Sequence, residues 1–90
     1  MDALYIKTTG GIEKIKPKNG KDFSLLELQK YVGGSIEMLR TNDNRWLIVN
    51  EEGRLHGLPR NKAATKLYQF NYINGDIVGN AVVCPVSMVK

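Results

Sequence analysis

Residues 46–67, WLIVNEEGRLHGLPRNKAATKL, constrain this chain more than any other stretch. Four consecutive apolar residues, Trp46, Leu47, Ile48 and Val49, leave neither side of an extended segment polar. A strand of that kind belongs inside a sheet with both faces covered. Asn50-Glu51-Glu52-Gly53 then reads as a type I turn ending in glycine, and residues 54–57 are expected to return alongside as a short strand. Pro59 and Asn61 mark the start of a helix over 62–70, with Asn61 as its N-cap. Ala64, Leu67 and Tyr68 form its buried stripe, and Ala63 is small enough for close approach.

The rest of the chain supplies partners for that strand and helix. Residues 3–8 and 12–16 alternate around Thr9-Gly10-Gly11, which predicts a β-hairpin closed off by Pro17-Lys18-Asn19-Gly20. Ser24 followed three residues later by Glu27 is a capping box, with Phe23 and Leu28 at the hydrophobic staple positions. Leu25, Leu28 and Val32 recur at helical spacing beside Tyr31, and Gly33-Gly34 stops the helix. Residues 35–40 alternate again, 41–44 form a polar turn, and 77–84 are a β-branched run interrupted by Gly79-Asn80, a candidate bulge.

These elements predict an α+β fold: a mostly antiparallel sheet of about five strands, with helices 24–32 and 62–70 packed on one face. The opposite face is then left to water or to a partner. The doubly apolar run 46–49 points to a protein partner or a second copy of the chain.

At 90 residues, 42% of them hydrophobic and 24% charged, residues 1–90 are expected to make one globular domain with one modest core. Cys84 is the sole cysteine, so no internal disulfide is expected, which suits a reducing cytosol. The opening MDALYIK lacks the pattern of a secretory signal, and the longest apolar run, 81–84, is far short of the ~18 residues of a membrane span. The expected location is cytoplasmic, with no membrane partner.

The net charge of +4 is unevenly distributed. Lys7, Lys14, Lys16, Lys18 and Lys21 stand against one acid, Glu13, and the segment from Arg54 to Lys66 contains no acid. If the two segments meet they attract an anion or a phosphate backbone; if not, they are solvated surface. Binding of nucleic acid or a small nucleotide through Lys14, Lys16, Arg54, Arg60 and Lys62 is therefore the alternative to a protein partner. Among the aromatic residues, Trp46 and Tyr68 are assigned to the core, while Phe70 and Tyr72 are the best candidates for exposed stacking surfaces.

Catalytic and cofactor chemistry finds little purchase. His56 is the sole histidine and has no second histidine or Cys–Asp pattern near it, so no metal, cofactor or catalytic set is expected. Gly10-Gly11 and Gly33-Gly34 lack the spacing of a phosphate loop or a dinucleotide fingerprint. The chain reads as a non-enzyme.

From about Leu25 onward the chain carries Leu25-x-x-Leu28-Gln29-x-x-Val32-Gly33-Gly34, then Ile48-Val49-Asn50-Glu51-Glu52-Gly53. Leu58-Pro59-x-Asn61-x-x-Ala64-Thr65 and Ile77-Val78-Gly79-Asn80-Ala81 follow. In these motifs and their order it resembles a small family of uncharacterised domains of bacteriophages, plasmids and other bacterial mobile elements. The resemblance implies a setting and not a reaction. It directs attention to Asn50, Glu52, Arg54, His56, Arg60, Asn61 and Lys62 as candidate binding residues around the central turn. Turn and cap chemistry accounts for Gly53, Pro59 and Asn61, while Asn50 and Glu52 are less constrained by it.

Overall fold

The computed structural model describes residues 2–68 and 76–89. Five strands, β1 (Ala3–Ile6), β2 (Ile12–Ile15), β3 (Ile36–Arg40), β4 (Trp46–Asn50) and β5 (Ala81–Cys84), form one sheet with every pairing antiparallel. Helix α1 (Leu25–Val32) lies between β2 and β3 in sequence, and α2 (Lys62–Leu67) between β4 and β5. The α+β class and its antiparallel five-stranded sheet are as the sequence predicts.

The strand order is β2-β1-β5-β4-β3. Two local hairpins, β1–β2 and β3–β4, are bridged by the last strand, which slots between β1 and β4. β5 is the tetrapeptide AVVC, buried at every position, as a central strand flanked by sheet on both sides requires.

The helices do not share a face, and here the expectation is corrected. Strand side chains alternate, so β5 sends Val82 and Cys84 to one side and Ala81 and Val83 to the other. The first side packs Ala3, Ile48, Val82 and Cys84 under Phe23, Leu28 and Val32 of the α1 layer. The second packs Ile6, Leu47, Val49, Ala81 and Val83 under Ala64 of α2, with Leu67 and Tyr68 alongside. An apolar stripe on each helix requires a sheet face but does not specify which one. Both apolar sides of β4 are thus covered from within the chain.

Local signals set the element ends. The Ser24 hydroxyl accepts the Glu27 N–H at 3.2 Å and Glu27 Oε1 accepts the Ser24 N–H at 2.9 Å, which completes the capping box. Gly33 closes α1 in a left-handed conformation, φ 83°. Phe23 and Leu28, the staple pair, are both buried, whereas Leu25 stays 58% exposed and does not join the buried stripe. Asn61 caps α2 by accepting the Ala64 N–H at 3.1 Å. The expected run of that helix beyond Tyr68, and the aromatics Phe70 and Tyr72, lie outside the described residues.

Two further expectations are corrected. Residues 54–57 are not a return strand but part of a helical turn, in which the His56 N–H reaches the Glu52 carbonyl at 3.0 Å. The run 77–84 is divided. Only its second half enters the sheet, while Val78 makes an isolated antiparallel bridge with Arg60 and the Gly79 N–H donates to the Pro59 carbonyl at 2.7 Å.

Candidate functional site

The residues singled out around the central turn fall into two groups. Asn50 and Asn61 are buried and fully engaged in holding the fold. Asn50 Nδ2 donates to the Val32 carbonyl at 3.1 Å and its Oδ1 accepts the Glu52 N–H at 2.8 Å, which ties the end of α1 to the end of β4. Asn61 Nδ2 donates to the carbonyls of Ile6 and Gly79, at 3.0 and 2.9 Å. Glu52, Arg54, His56, Arg60 and Lys62 are exposed. His56 Nε2 lies 3.8 Å from Glu52 Oε1 one helical turn away, with both side chains more than half exposed. Arg54 donates to the Asp76 carbonyl at 2.9 Å, and Arg60 pairs with the Asp76 carboxylate. The turn is therefore a well-tied surface loop, with its two arginines drawn to one aspartate.

A concave feature lies elsewhere. An open groove of about 720 Å³ runs beside α1 and is lined by Tyr5, Lys16, Lys18, Ser24, Leu26, Glu27, Gln29, Lys30 and Tyr31. Its origin is geometric. Five strands at about 4.8 Å spacing make a sheet about 19 Å wide between outer strand axes, whereas one helix with its side chains is only about 10–12 Å across. α1 lies over β3, β4 and β5, so the β1–β2 side of that face has no helix of its own.

Each lining side chain is placed by a local device. Leu26 and Lys30, like Glu27 and Tyr31, are four residues apart on α1 and so stack along one side of the helix. Glu27 Oε2 accepts the Lys18 N–H at 2.9 Å, which pins the loop after β2 against the helix start. These two backbone donors, Ser24 first and then Lys18, hold the Glu27 carboxyl below the usual glutamate range. Tyr31 is set by its neighbours. Its ring lies 4.9 Å from that of Tyr5 at 55° and meets Phe23 edge-on, and its carbonyl accepts the Tyr5 hydroxyl at 2.9 Å. Burial, and after it the nearby Glu27, raises the Tyr31 phenol above its ordinary value.

The electrostatics of the groove are one-sided. Lys16, Lys18 and Lys30 face a single acid, Glu27, and among the described residues none of the three lysines makes an ion pair within 4.0 Å. Leu26, 72% exposed, adds an apolar contact at the rim. Of the basic residues named from sequence, Lys16 lines this groove; Lys14 pairs with Asp2 at 3.5 Å, and Arg54, Arg60 and Lys62 are not among the lining residues. Lys18, Lys30, Leu26 and Tyr31 were not among the site residues predicted from sequence. The readable signal was Leu26, an apolar residue off the stripe that Leu28 and Val32 define.

Among the described residues, no three of His, Cys, Asp or Glu gather closely enough to hold a metal ion. No described helix is long and apolar enough to cross a membrane. Cys84 is buried in β5, and burial pushes its thiol up to about 11, so it is no nucleophile at neutral pH.

Fold and groove together define a small antiparallel α/β/α sandwich with a basic, aromatic-lined cleft on one side. The chain matches the family described as "Domain of unknown function (DUF3846)" over residues 1–87, and it belongs to that family. No curated protein and no solved structure matches it.

Proposed function

We propose that this chain is a non-catalytic binding module that takes an anionic ligand in the groove between α1 and the first hairpin. The observation that carries this reading is the convergence of Lys16, Lys18 and Lys30 on one cleft with no ion-pair partner among the described residues. Unneutralised ammonium groups around a concave, partly apolar surface raise the local concentration of anions and reward their docking. The non-catalytic part rests on His56 being more than half exposed on the turn, beside Glu52, and on Cys84 being sealed in the sheet. The sequence motifs favour a phage or other mobile element as the setting, and a single cysteine suits a reducing cytoplasm as the place of action.

Native mass spectrometry of freshly purified protein tests this directly. An anionic mass retained at low ionic strength, displaced by salt and lost in Lys16→Glu/Lys30→Glu, is the expected result. A bare mass that gains nothing from any anion offered overturns it.

A protein partner, or a second copy of the chain, is a second reading with its own observation. β2 is an edge strand with open backbone groups, and its Ile12 is 56% exposed. Such an edge accepts an added strand. Sedimentation velocity over a concentration series detects self-association, and Ile12→Lys is expected to abolish it.

A further inference from the structure

We propose that the anion is a nucleotide of one or two units, with its phosphates on the lysines and its base against the Tyr31–Leu26 side of the groove. This rests on the anion-binding reading above and narrows it. Charge is the first argument. Three lysines and one glutamate line the groove, a formal net charge of +2. A phosphate monoester carries about −1.5 to −2 at neutral pH, which matches that charge, and a dinucleotide with a terminal phosphate and one diester carries about one negative charge more.

Glu27 does not spoil that match. Both its oxygens already accept backbone N–H groups, from Ser24 and from Lys18, each at 2.9 Å. Its charge is directed at those donors and away from an incoming phosphate.

The lining is also wrong for phosphate alone. Tyr5 and Tyr31 present a tilted aromatic pair, and Leu26 is left 72% exposed beside them. Inorganic phosphate has no use for such a surface, whereas a planar base stacks on aromatic and apolar side chains. The ammonium groups suit phosphate as compact point charges. A cleft of about 720 Å³ lies within the ~300–1,000 Å³ typical of small-molecule sites.

A long strand is less well served, because several of the basic side chains beyond the groove are engaged locally. Lys7 pairs with Glu13, Lys14 with Asp2, Arg45 with Asp43 and Arg60 with Asp76, while Arg54 holds the Asp76 carbonyl. A nucleic-acid backbone gains affinity phosphate by phosphate along an open basic track. Here Lys21, Lys62 and Lys66 are exposed lysines left outside the groove, and the 20-nucleotide probe below tests whether a longer strand uses them.

Isothermal titration calorimetry on the intact chain tests the proposal. The probes are the four ribonucleoside 5′-monophosphates, the dinucleotide pApA, inorganic phosphate, adenosine, a 20-nucleotide single-stranded DNA and penta-glutamate. At least one monophosphate or pApA is expected to saturate at one site, about tenfold or more tighter than phosphate or adenosine alone. Lys16→Ala and Lys30→Ala should each weaken it about tenfold. Leu26→Ser, an exposed change that leaves the core intact, should weaken nucleotide binding without altering phosphate binding. Unchanged urea midpoints for these variants confirm that the fold is retained.

Phosphate binding as tightly as any nucleotide overturns the assignment of the base. Lysine-dependent binding of penta-glutamate or of the 20-mer, with no nucleotide bound, overturns the nucleotide while leaving the anion-binding reading intact. Silence from every anion overturns both.

Discussion

Asn61 and Ile6 are 55 residues apart in sequence, yet the side-chain amide of one donates to the backbone carbonyl of the other at 3.0 Å. The same amide nitrogen reaches the Gly79 carbonyl at 2.9 Å, and its oxygen caps α2 through the Ala64 N–H. One fully buried side chain thus joins the end of β1, the start of α2 and the approach to β5.

Asn61→Ala is expected to destabilise the protein by about 3 kcal/mol or more. It removes an N-cap, worth about 1 kcal/mol, and leaves buried carbonyls without a donor, at about 1–3 kcal/mol each. Asn61→Asp, which keeps the cap oxygen, should be no milder, because a carboxylate would then face two carbonyl oxygens. Urea unfolding of both variants checks this, and an aspartate variant of wild-type stability would refute the account.

Gly79 and Leu58 make a second coupled pair. Gly79 holds φ +80°, and a Cβ placed there would lie 2.8 Å from Leu58 Cδ1. Gly79→Ala should cost about 1–2 kcal/mol for the left-handed backbone and more for the contact. Adding Leu58→Ala should relieve the contact and leave the backbone strain. A double-mutant cycle by chemical denaturation should therefore show a favourable coupling of about 0.5–3 kcal/mol; strict additivity would remove the steric half of this argument.

Much of this architecture was legible where the controlling physics is local. The capping box of Ser24 and Glu27, the hairpin turn at Thr9-Gly10-Gly11 and the cap at Asn61 act within a few residues, and each forms as read. Residues 54–57 were misread because Leu55 between Arg54 and His56 alternates like a strand. A return strand beside β4 has no place to pair, because β3 and β5 flank β4 on both sides, whereas the turn gains the Asn50 side-chain bond and the Glu52–His56 backbone bond. Leu55 is left 77% exposed by that outcome. The side taken by α2 was not legible, since β4 and β5 are apolar on both faces and either could receive it. The groove was hidden for a related reason. It exists because β5 joins two hairpins into a sheet wider than one helix can cover, a long-range fact with no short motif. Asn50 looked free in sequence because its partner, the Val32 carbonyl, is 18 residues away.

Cys84 should behave as an inert core residue. It is buried in β5, and burial pushes its thiol up to about 11. At pH 8 the native protein is expected to react with a thiol-disulfide reagent only through opening of the sheet, while urea-unfolded protein reacts at once. Rapid labelling of the native state would mean that β5 opens locally. Cys84→Ser should lower stability, because it places a hydroxyl where the thiol acts as a small apolar group.

The acid limb of stability should be governed in part by Glu27 and Asp43. The backbone N–H groups of Ser24 and Lys18 hold the Glu27 carboxyl low, and Arg45 and then Thr41 do the same for Asp43. A carboxyl whose folded value lies below its unfolded one adds stability that is complete above the unfolded value, about 4.3 for glutamate and 3.9 for aspartate. As pH falls below those values the unfolded chain takes up protons first, and the contribution is lost through the lower folded values. Stability measured by urea unfolding should therefore be flat in this respect near pH 7 and decline from about pH 5 downward. Glu27→Gln should lose some stability at pH 7, since an amide has one acceptor oxygen and can keep only one of the two N–H bonds, and its acid decline should be shallower than that of the wild type. An equally steep decline in Glu27→Gln would show that the tie from Lys18 to the helix start contributes nothing to folding. The groove whose edge that tie fixes would then have to be held open by the Tyr5–Tyr31 contact instead.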